Sequence, residues 1–190
     1  MKICFATHNP NKLKEVRQIL GDRFDVVGLH DIGCDEEIPE DGITLDENSH
    51  IKAAFVAKNF RINCFADDTG LEVEALDGAP GVYSARYAGE QKDNQANIRL
   101  LLEKLQGHTN RRARFRTVIT LLVDGVEHQF DGVVDGHITT ELKGNEGFGY
   151  DPVFVPEGHT TTFAEMSAAG KNEISHRGRA MHKLVAFLQS

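Results

Sequence analysis

The stretch around which the chain is organised runs from Phe65 to Tyr87 and reads FADDTGLEVEALDGAPGVYSARY. An apolar run that ends at Ala66 leads directly into two adjacent carboxylates, Asp67 and Asp68. Because ionised carboxylates are seldom buried without a partner, packing alone does not explain them. If the run is a strand, the pair lies where α/β proteins bind ligands, which favours a metal or water-activating site. A solvated Asp-Asp turn before Gly70 is the alternative, because Asp and Gly are common turn residues.

The residues that follow the carboxylate pair are predicted to form a separate strand. Thr69 and Gly70 interrupt the apolar pattern, and the run at residues 71–76 then begins with alternating apolar and acidic side chains. Such alternation is typical of a half-buried strand. We therefore expect Asp68 to stand at the end of one strand, with the next strand beginning at Leu71.

Composition limits the class of protein. The length of 190 residues fits one domain, 1–190, of at most two lobes, and 40% hydrophobic with 26% charged residues is typical of globular proteins. A formal net charge of −8 argues against a general nucleic-acid binder. The three cysteines form no C-x-x-C motif, which favours a reducing, cytoplasmic setting. No apolar run approaches 18 residues, so we expect no membrane partner and no signal peptide.

The N-terminal segment is typical of an anion-binding loop. Residues 3–6 are predicted to form a buried strand, residues 7–12 read THNPNK, and apolar residues then recur at helical spacing. A strand, a polar loop and a helix start aim backbone N–H groups at an anion. The loop lacks the Walker pattern. A helix cap built by Asn9, with Pro10 at the first helical position, is a second and compatible interpretation.

The remaining elements predict an α/β fold. Residues 44–47 read TLDE, a capping box that opens a helix to about Asn59, and a second amphipathic helix spans residues 94–106. A long hairpin follows at residues 113–134, and a last helix ends the chain. This order suggests a mixed sheet with flanking helices in two lobes, with a central substrate cleft, rather than a parallel Rossmann sheet.

The C-terminal third carries aromatic and cationic residues. Phe148 and Tyr150 stand in a glycine-rich loop, where exposed aromatics suit stacking on a nucleobase. Lys171, His176 and Arg177 precede or open the last helix, where the helix dipole disfavours cations. An anionic partner is therefore expected there.

Together these residue types describe a metal-dependent hydrolase of nucleoside triphosphates. Carboxylates suited to Mg²⁺ are Glu40, Asp67 and Asp68. Donors suited to a polyphosphate are Thr7, Asn9, Lys12, Lys52 and Lys171. Phe148 would stack on a base, and His176 with Arg177 would donate to its carbonyl edges.

The chain resembles the inosine triphosphate pyrophosphatase family over essentially its whole length. The motifs that carry the resemblance are ATHNPNKLKEV at 6–16, EDGITLDENSHIKA at 40–53, ADDTGLEVEALDGAPGVYSARYAG at 66–89, GFGYDPVF at 147–154 and KNEISHRGRA at 171–180. The resemblance implies a two-lobed mixed α/β fold, a homodimer, and Mg²⁺ as cofactor. It also implies hydrolysis of ITP, dITP and XTP to the monophosphate and pyrophosphate.

The same resemblance implies roles for individual residues. The residues that would bind the triphosphate are Thr7, His8, Asn9, Pro10, Asn11, Lys12 and Lys52. Glu40 and Asp68 would bind the metal, Asp68 would also accept the proton of the attacking water, and Asp67 would support it. Thr69 would contact the substrate, and the residues that would hold the base are Phe148, Gly149, Tyr150 and Asp151. Lys171 would bind the phosphates or the base, and His176 with Arg177 would bind the 6-carbonyl. Position 8 is His where some relatives have Gly.

Other functions stay open at this point. A module that binds a triphosphate without cleaving it would not need a water activator such as Asp68. A phosphatase, or a pyrophosphatase for another base, would differ in its products or substrates. A purely structural dimer would not explain the group of polar residues.

Overall fold

The structure divides into two compact units, and the computed structural model describes residues 2–190. The first unit contains the chain up to Asp68 together with Thr117–Gly132 and Arg177–Ser190. The second unit contains Thr69–Arg116 and Val133–His176. Strands that run through Asp68 and Arg116 therefore contribute residues to both units.

Within residues 2–190, seven strands form a mixed sheet. They are β1 (Lys2–Phe5), β2 (Asp25–Val27), β3 (Cys64–Val73), β4 (Pro80–Gly81), β5 (Arg112–Val123), β6 (Val126–Ile138) and β7 (Phe154–Pro156). Pairing follows the order β2-β1-β3-β5-β6-β7, and β4 pairs with β3. The β1 strand is parallel to β2 and β3, whereas β4 and β7 are antiparallel to their partners. The predicted mixed α/β class is confirmed.

Residues 2–190 also contain five α-helices. They are α1 (Pro10–Leu20), α2 (Leu45–Phe60), α3 (Asn94–Lys104), α4 (Ala168–Ile174) and α5 (His176–Leu188). Short 3₁₀ turns lie at Gly21–Arg23, His30–Ile32, Glu74–Leu76, Ser84–Arg86, Asp151–Val153 and Phe163–Glu165. None of the helices described is both long and apolar enough to cross a membrane.

The first unit is built on the parallel strands β1 and β3. Cys4 lies opposite Cys64 and Phe5 opposite Phe65, whose rings stack with centroids 4.7 Å apart. The two cysteines belong to an apolar cluster that also contains residues of α2, whereas the two phenylalanines pack with apolar residues of α1 and α5. Helices therefore cover both faces of this part of the sheet.

Local sequence signals explain where α1 and α2 begin. The Asn9 side chain accepts hydrogen bonds from the backbone N–H groups of Asn11 and Lys12, and Pro10 is the first helical residue. The predicted Asn9 cap is confirmed. Thr44 caps α2 by accepting from Glu47 N, but the Glu47 carboxylate accepts from Ile43 N instead of closing the predicted box on Thr44.

The second unit has an aromatic core. Phe115 on β5 packs against Phe154 and Phe163, with ring centroids 4.6 and 6.2 Å away. Buried aliphatic residues of α3 and β6 complete this cluster. The long hairpin β5–β6 was predicted, and it is confirmed with slightly longer strands.

The prediction of a strand break at Thr69 and Gly70 is wrong. The β3 strand continues from Cys64 to Val73, and the predicted second strand ends there in a 3₁₀ turn. The reason is a change of partner along β3. Cys64 and Phe65 pair with β1, Leu71 and Glu72 pair with β4, and β5 is the other neighbour of β3, so backbone pairing persists beyond the carboxylates.

Candidate active site

Asp67 and Asp68 lie in the middle of β3, so the prediction that they end a strand is corrected. The neighbouring strand β1 stops at Phe5, whose register partner is Phe65. The two carboxylates therefore follow the point where β1 ends. Successive side chains of a strand point to opposite faces, and each carboxylate accordingly has its own set of partners.

Asp67 belongs to a buried ionic cluster with α1 and α5. Lys12 Nζ donates to Asp67 Oδ1 at 2.9 Å, and Arg177 Nε donates to Oδ2 at 3.1 Å. Arg177 is 2% exposed and also donates to Glu15. Burial alone would raise the pKa of Asp67, but the Lys12 and Arg177 cations lower it below its ordinary value. Asp67 is therefore an ionised anchor for both cations.

Asp68 belongs to a second cluster, with α2. Asn48 Nδ2 donates to Asp68 Oδ2 at 3.1 Å, and Lys52 Nζ lies 4.0 Å from Oδ1. The Lys52 ammonium also donates to Glu40. Burial raises the pKa of Asp68 despite the Lys52 charge, whereas for Lys52 burial is outweighed by the Asp68 and Glu40 charges, which raise its pKa. Asp68 is thus a better proton acceptor than an exposed aspartate.

The chemistry of this cluster fits Mg²⁺. Glu40 and Asp68 both approach the same ammonium group, so their oxygens converge on a point that favours a cation. Mg²⁺ is commonly held by one or two carboxylates and takes its other ligands from water and substrate phosphates. Within residues 2–190 there is no group of three His, Cys, Asp or Glu suited to a metal. Glu40 and Asp68 are the carboxylates of this cluster that would hold such an ion.

Side chains of the loop before α1 make hydrogen bonds within the protein. Thr7 Oγ1 accepts from Asn9 N at 3.1 Å, and His8 Nε2 lies 2.9 Å from the Glu36 carbonyl oxygen. Asn11 and Pro10 are exposed. These contacts fix the loop just ahead of the helix N-terminus. Binding of a triphosphate there stays a prediction.

The second unit brings together most of the residues predicted to hold the base. Lys171 Nζ donates to Asp151 Oδ2 at 2.6 Å and lies 4.9 Å from the centre of the Phe148 ring. The same Asp151 oxygen accepts from Phe148 N at 3.0 Å. The His176 ring stacks on Phe115, with centroids 4.5 Å apart. Asp151 therefore ties the glycine-rich loop to Lys171.

Tyr150 was expected to be an exposed aromatic, and this expectation is wrong. Tyr150 is buried in the aromatic core of the second unit, and its hydroxyl donates to the Ser84 carbonyl at 2.7 Å. Phe148 and Gly149 remain partly exposed, and Thr69 is also partly exposed on β3. Of the two aromatics, Phe148 is the one available for stacking.

His176 and Arg177 are adjacent in sequence but have different surroundings. The His176 side chain packs among the aromatics of the second unit, whereas Arg177 joins Asp67 and Glu15 in the first. The sequence suggested that both residues donate hydrogen bonds to a carbonyl edge of the base. The structure gives Arg177 an ionic role beside Lys12.

Sequence reasoning missed residues that build these clusters. Glu15 lies three residues after Lys12, and Asn48 lies four residues before Lys52, so each shares a helix face with a predicted site residue. Ser84 fixes the second unit by accepting from Leu71 N at 2.8 Å. A polar residue at helical spacing from a site lysine was the available signal for the first two.

The fold and these residues define a mixed α/β protein with a buried carboxylate and lysine cluster suited to phosphate chemistry. The chain belongs to the Ham1 family, whose model matches residues 3–187. It is 56% identical over 188 residues to the dITP/XTP pyrophosphatase of Porphyromonas gingivalis, covering 98% of this chain and 97% of that protein. These matches confirm the resemblance found in the sequence.

Solved structures agree with this assignment. The Ham1 protein of Staphylococcus aureus superposes with a TM-score of 0.89 at 41% identity, covering 100% of this chain and 98% of that one. A HAM1 protein from Coxiella burnetii gives a TM-score of 0.90 at 37% identity, with 100% and 98% coverage.

Proposed function

We propose that this protein is a Mg²⁺-dependent pyrophosphatase that converts dITP, XTP and ITP to the monophosphate and pyrophosphate. Membership of the Ham1 family and the names of the relatives support this activity. The observation that carries the proposal is the cluster of Asp68, Glu40 and Lys52. It holds two carboxylates and a lysine at one point of the first unit.

In the proposed reaction, water attacks the triphosphate and the anhydride bond between the α- and β-phosphates breaks. Asp68 accepts the proton of the attacking water, and pyrophosphate leaves. Lys12 and Lys52 bind phosphate oxygens and oppose the negative charge that grows during bond cleavage. Mg²⁺, when bound by Glu40 and Asp68, would neutralise further phosphate charge.

The second unit would select the base. Phe148 would stack on the purine, and Lys171 and His176 would donate to its 6-oxygen. Adenine carries an amino donor at that position, so it would place donor against donor. A buried polar mismatch of this kind can discriminate by several orders of magnitude. The pairing of Lys171 with Asp151 supports this assignment, because it fixes the lysine side chain in place.

We further propose that the protein acts in the cytoplasm as a homodimer. The homodimer rests on the family resemblance, and the cytoplasmic location on three reduced, buried cysteines. Light scattering on the purified protein tests the first point. A mass of one 21.0 kDa chain at micromolar concentration would contradict it.

A product assay tests the activity. Purified protein is incubated with Mg²⁺ and with dITP, XTP, ITP, ATP or GTP in parallel, and pyrophosphate and orthophosphate are measured separately. We expect pyrophosphate from dITP, XTP and ITP and very little from ATP or GTP. Orthophosphate as the product, or tight binding without turnover, would overturn the proposed reaction.

A further inference from the structure

Asn48 is a buried polar residue of α2 whose side chain has two hydrogen-bond partners outside the helix. Its side chain donates through Nδ2 to Asp68 Oδ2 at 3.1 Å and accepts through Oδ1 from the backbone N–H of Gly42 at 2.9 Å. The residue is 1% exposed. Neither contact caps or extends the helix that carries it, so helix stability does not account for Asn48.

The two contacts fix the orientation of the amide. A backbone N–H can only donate, so it requires Oδ1 of Asn48, and the ionised Asp68 carboxylate can only accept, so it requires Nδ2. Turning the amide over would break both hydrogen bonds at once. The Asn48 side chain is therefore held in one orientation, with its donor aimed at Asp68.

Gly42 lies two residues after Glu40, so its hydrogen bond to Asn48 also holds the segment that carries the Glu40 carboxylate. A Cβ atom on Gly42 would lie 2.7 Å from Asn48 Oδ1 and 2.8 Å from Glu47 Cβ. The close approach of this segment to α2 thus depends on glycine. Asn48 connects the segment that carries Glu40 with the strand that carries Asp68.

We propose that Asn48 is a positioning residue for the hydrolysis, holding the Asp68 carboxylate and the Glu40 segment in the arrangement that the reaction needs. The inference rests on the proposed function, since it assigns Asn48 a role through Asp68. Residues that orient the groups around a metal or a base typically change activity by about 10- to 100-fold when they are removed.

The matched control is Asn97, a second buried helical asparagine. It clamps backbone groups in the same manner, accepting from Ala88 N at 2.7 Å and donating to the Ala85 carbonyl at 2.9 Å. Its partners are backbone atoms of the second unit and include no carboxylate.

Asn48→Ala and Asn97→Ala should both lower Tm by about 2–8 °C. Asn48→Ala should lower kcat about 10- to 100-fold with little change in KM, and Asn97→Ala by less than about threefold.

Hydrogen exchange of the metal-free protein provides a readout independent of turnover. Asn48→Ala should speed exchange of the Gly42 amide by about tenfold, because that N–H loses its acceptor. Asn48→Asp keeps an acceptor for Gly42 but faces Asp68 with a carboxylate. It should leave the Gly42 exchange slow while lowering kcat at least as much as Asn48→Ala. Unchanged Gly42 exchange in Asn48→Ala, or wild-type kcat in Asn48→Asp, would overturn the positioning role.

A double-mutant cycle separates this inference from the proposed function. In an Asp68→Asn background, Asn48→Ala should lower the residual kcat by less than about threefold, since its effect passes through Asp68. An equal loss in both backgrounds would overturn the role of Asn48 and leave the role of Asp68 intact. Wild-type turnover by Asp68→Asn itself would overturn both. If the residual activity of Asp68→Asn is too low to measure, the kcat of Asn48→Ala against Asn97→Ala decides.

Discussion

The buried charged groups of the two units are surrounded by different types of side chain. In the first unit, cations and carboxylates face one another in two linked clusters, around Asp67 and Asp68 on adjacent positions of β3. In the second, the buried pair Lys171–Asp151 lies among aromatic rings. Buried cations paired with carboxylates are suited to binding a polyphosphate and a metal ion, whereas aromatic rings beside a fixed hydrogen-bond donor are suited to binding a flat base. The contrast suggests that bond cleavage and base choice are separable by mutation.

The largest effect should come from the first unit. Asp68→Asn removes the proposed proton acceptor but keeps the shape of the side chain, so we expect kcat to fall about 10²- to 10⁴-fold while circular dichroism stays unchanged. The exposed control Asp22→Asn should keep wild-type kcat. An Asp68→Asn enzyme that retains more than about a tenth of wild-type kcat would remove Asp68 from the role of base.

The next effect is on stability and tests the ionic cluster of Asp67. Arg177→Met removes a buried guanidinium and leaves Glu15 and Asp67 without this partner, which should cost about 3 kcal/mol of unfolding free energy. Urea unfolding measures it, with the exposed Arg99→Met as control. If Arg177→Met unfolds at the wild-type urea concentration, the cluster contributes no net stability.

A smaller effect is expected in the second unit. Phe148→Ala removes the aromatic face beside Lys171, and loss of base stacking should raise KM for XTP about five- to 50-fold. The kcat at saturating XTP should change little, because the first unit is untouched. Steady-state kinetics decide, and a fall confined to kcat would argue against a stacking role.

The smallest effect concerns the thiols of the first unit. Burial raises the pKa of Cys4 and of Cys64 to about 12, so almost no thiolate forms at pH 8. We expect no reaction of these thiols with a disulfide reagent at pH 8 until urea unfolds the protein, and faster reaction only as the pH approaches 12. Rapid labelling of either thiol in the native protein at pH 8 would contradict their burial.

Local signals in the sequence predicted the elements that depend on neighbours along the chain. The Asn9 cap with Pro10, the start of α2 at Thr44 and the β5–β6 hairpin are all set within a few residues. The motifs also predicted the family. These features need no knowledge of distant contacts.

Features that depend on distant partners were not predicted. The β3 strand continues past Gly70, where Leu71 and Glu72 pair with β4, and Tyr150 is buried in the aromatic core, where its hydroxyl donates to the carbonyl of Ser84, 66 residues away. The proposed role of Asn48 depends on its hydrogen bond to Asp68, which lies 20 residues further along the chain. Local patterns in one sequence do not specify which residues pair across the fold.

The separation of cleavage from base choice is tested most directly by the ratio of kcat/KM for XTP to that for ATP in two variants. Lys12→Met alters the part of the first unit that is proposed to bind phosphate, and His176→Phe keeps a ring packed on Phe115 while removing its nitrogen atoms. We expect Lys12→Met to lower both values at least about tenfold with a nearly constant ratio, and His176→Phe to lower the ratio about tenfold or more. A changed ratio in Lys12→Met together with an unchanged ratio in His176→Phe would contradict the division of labour between the units.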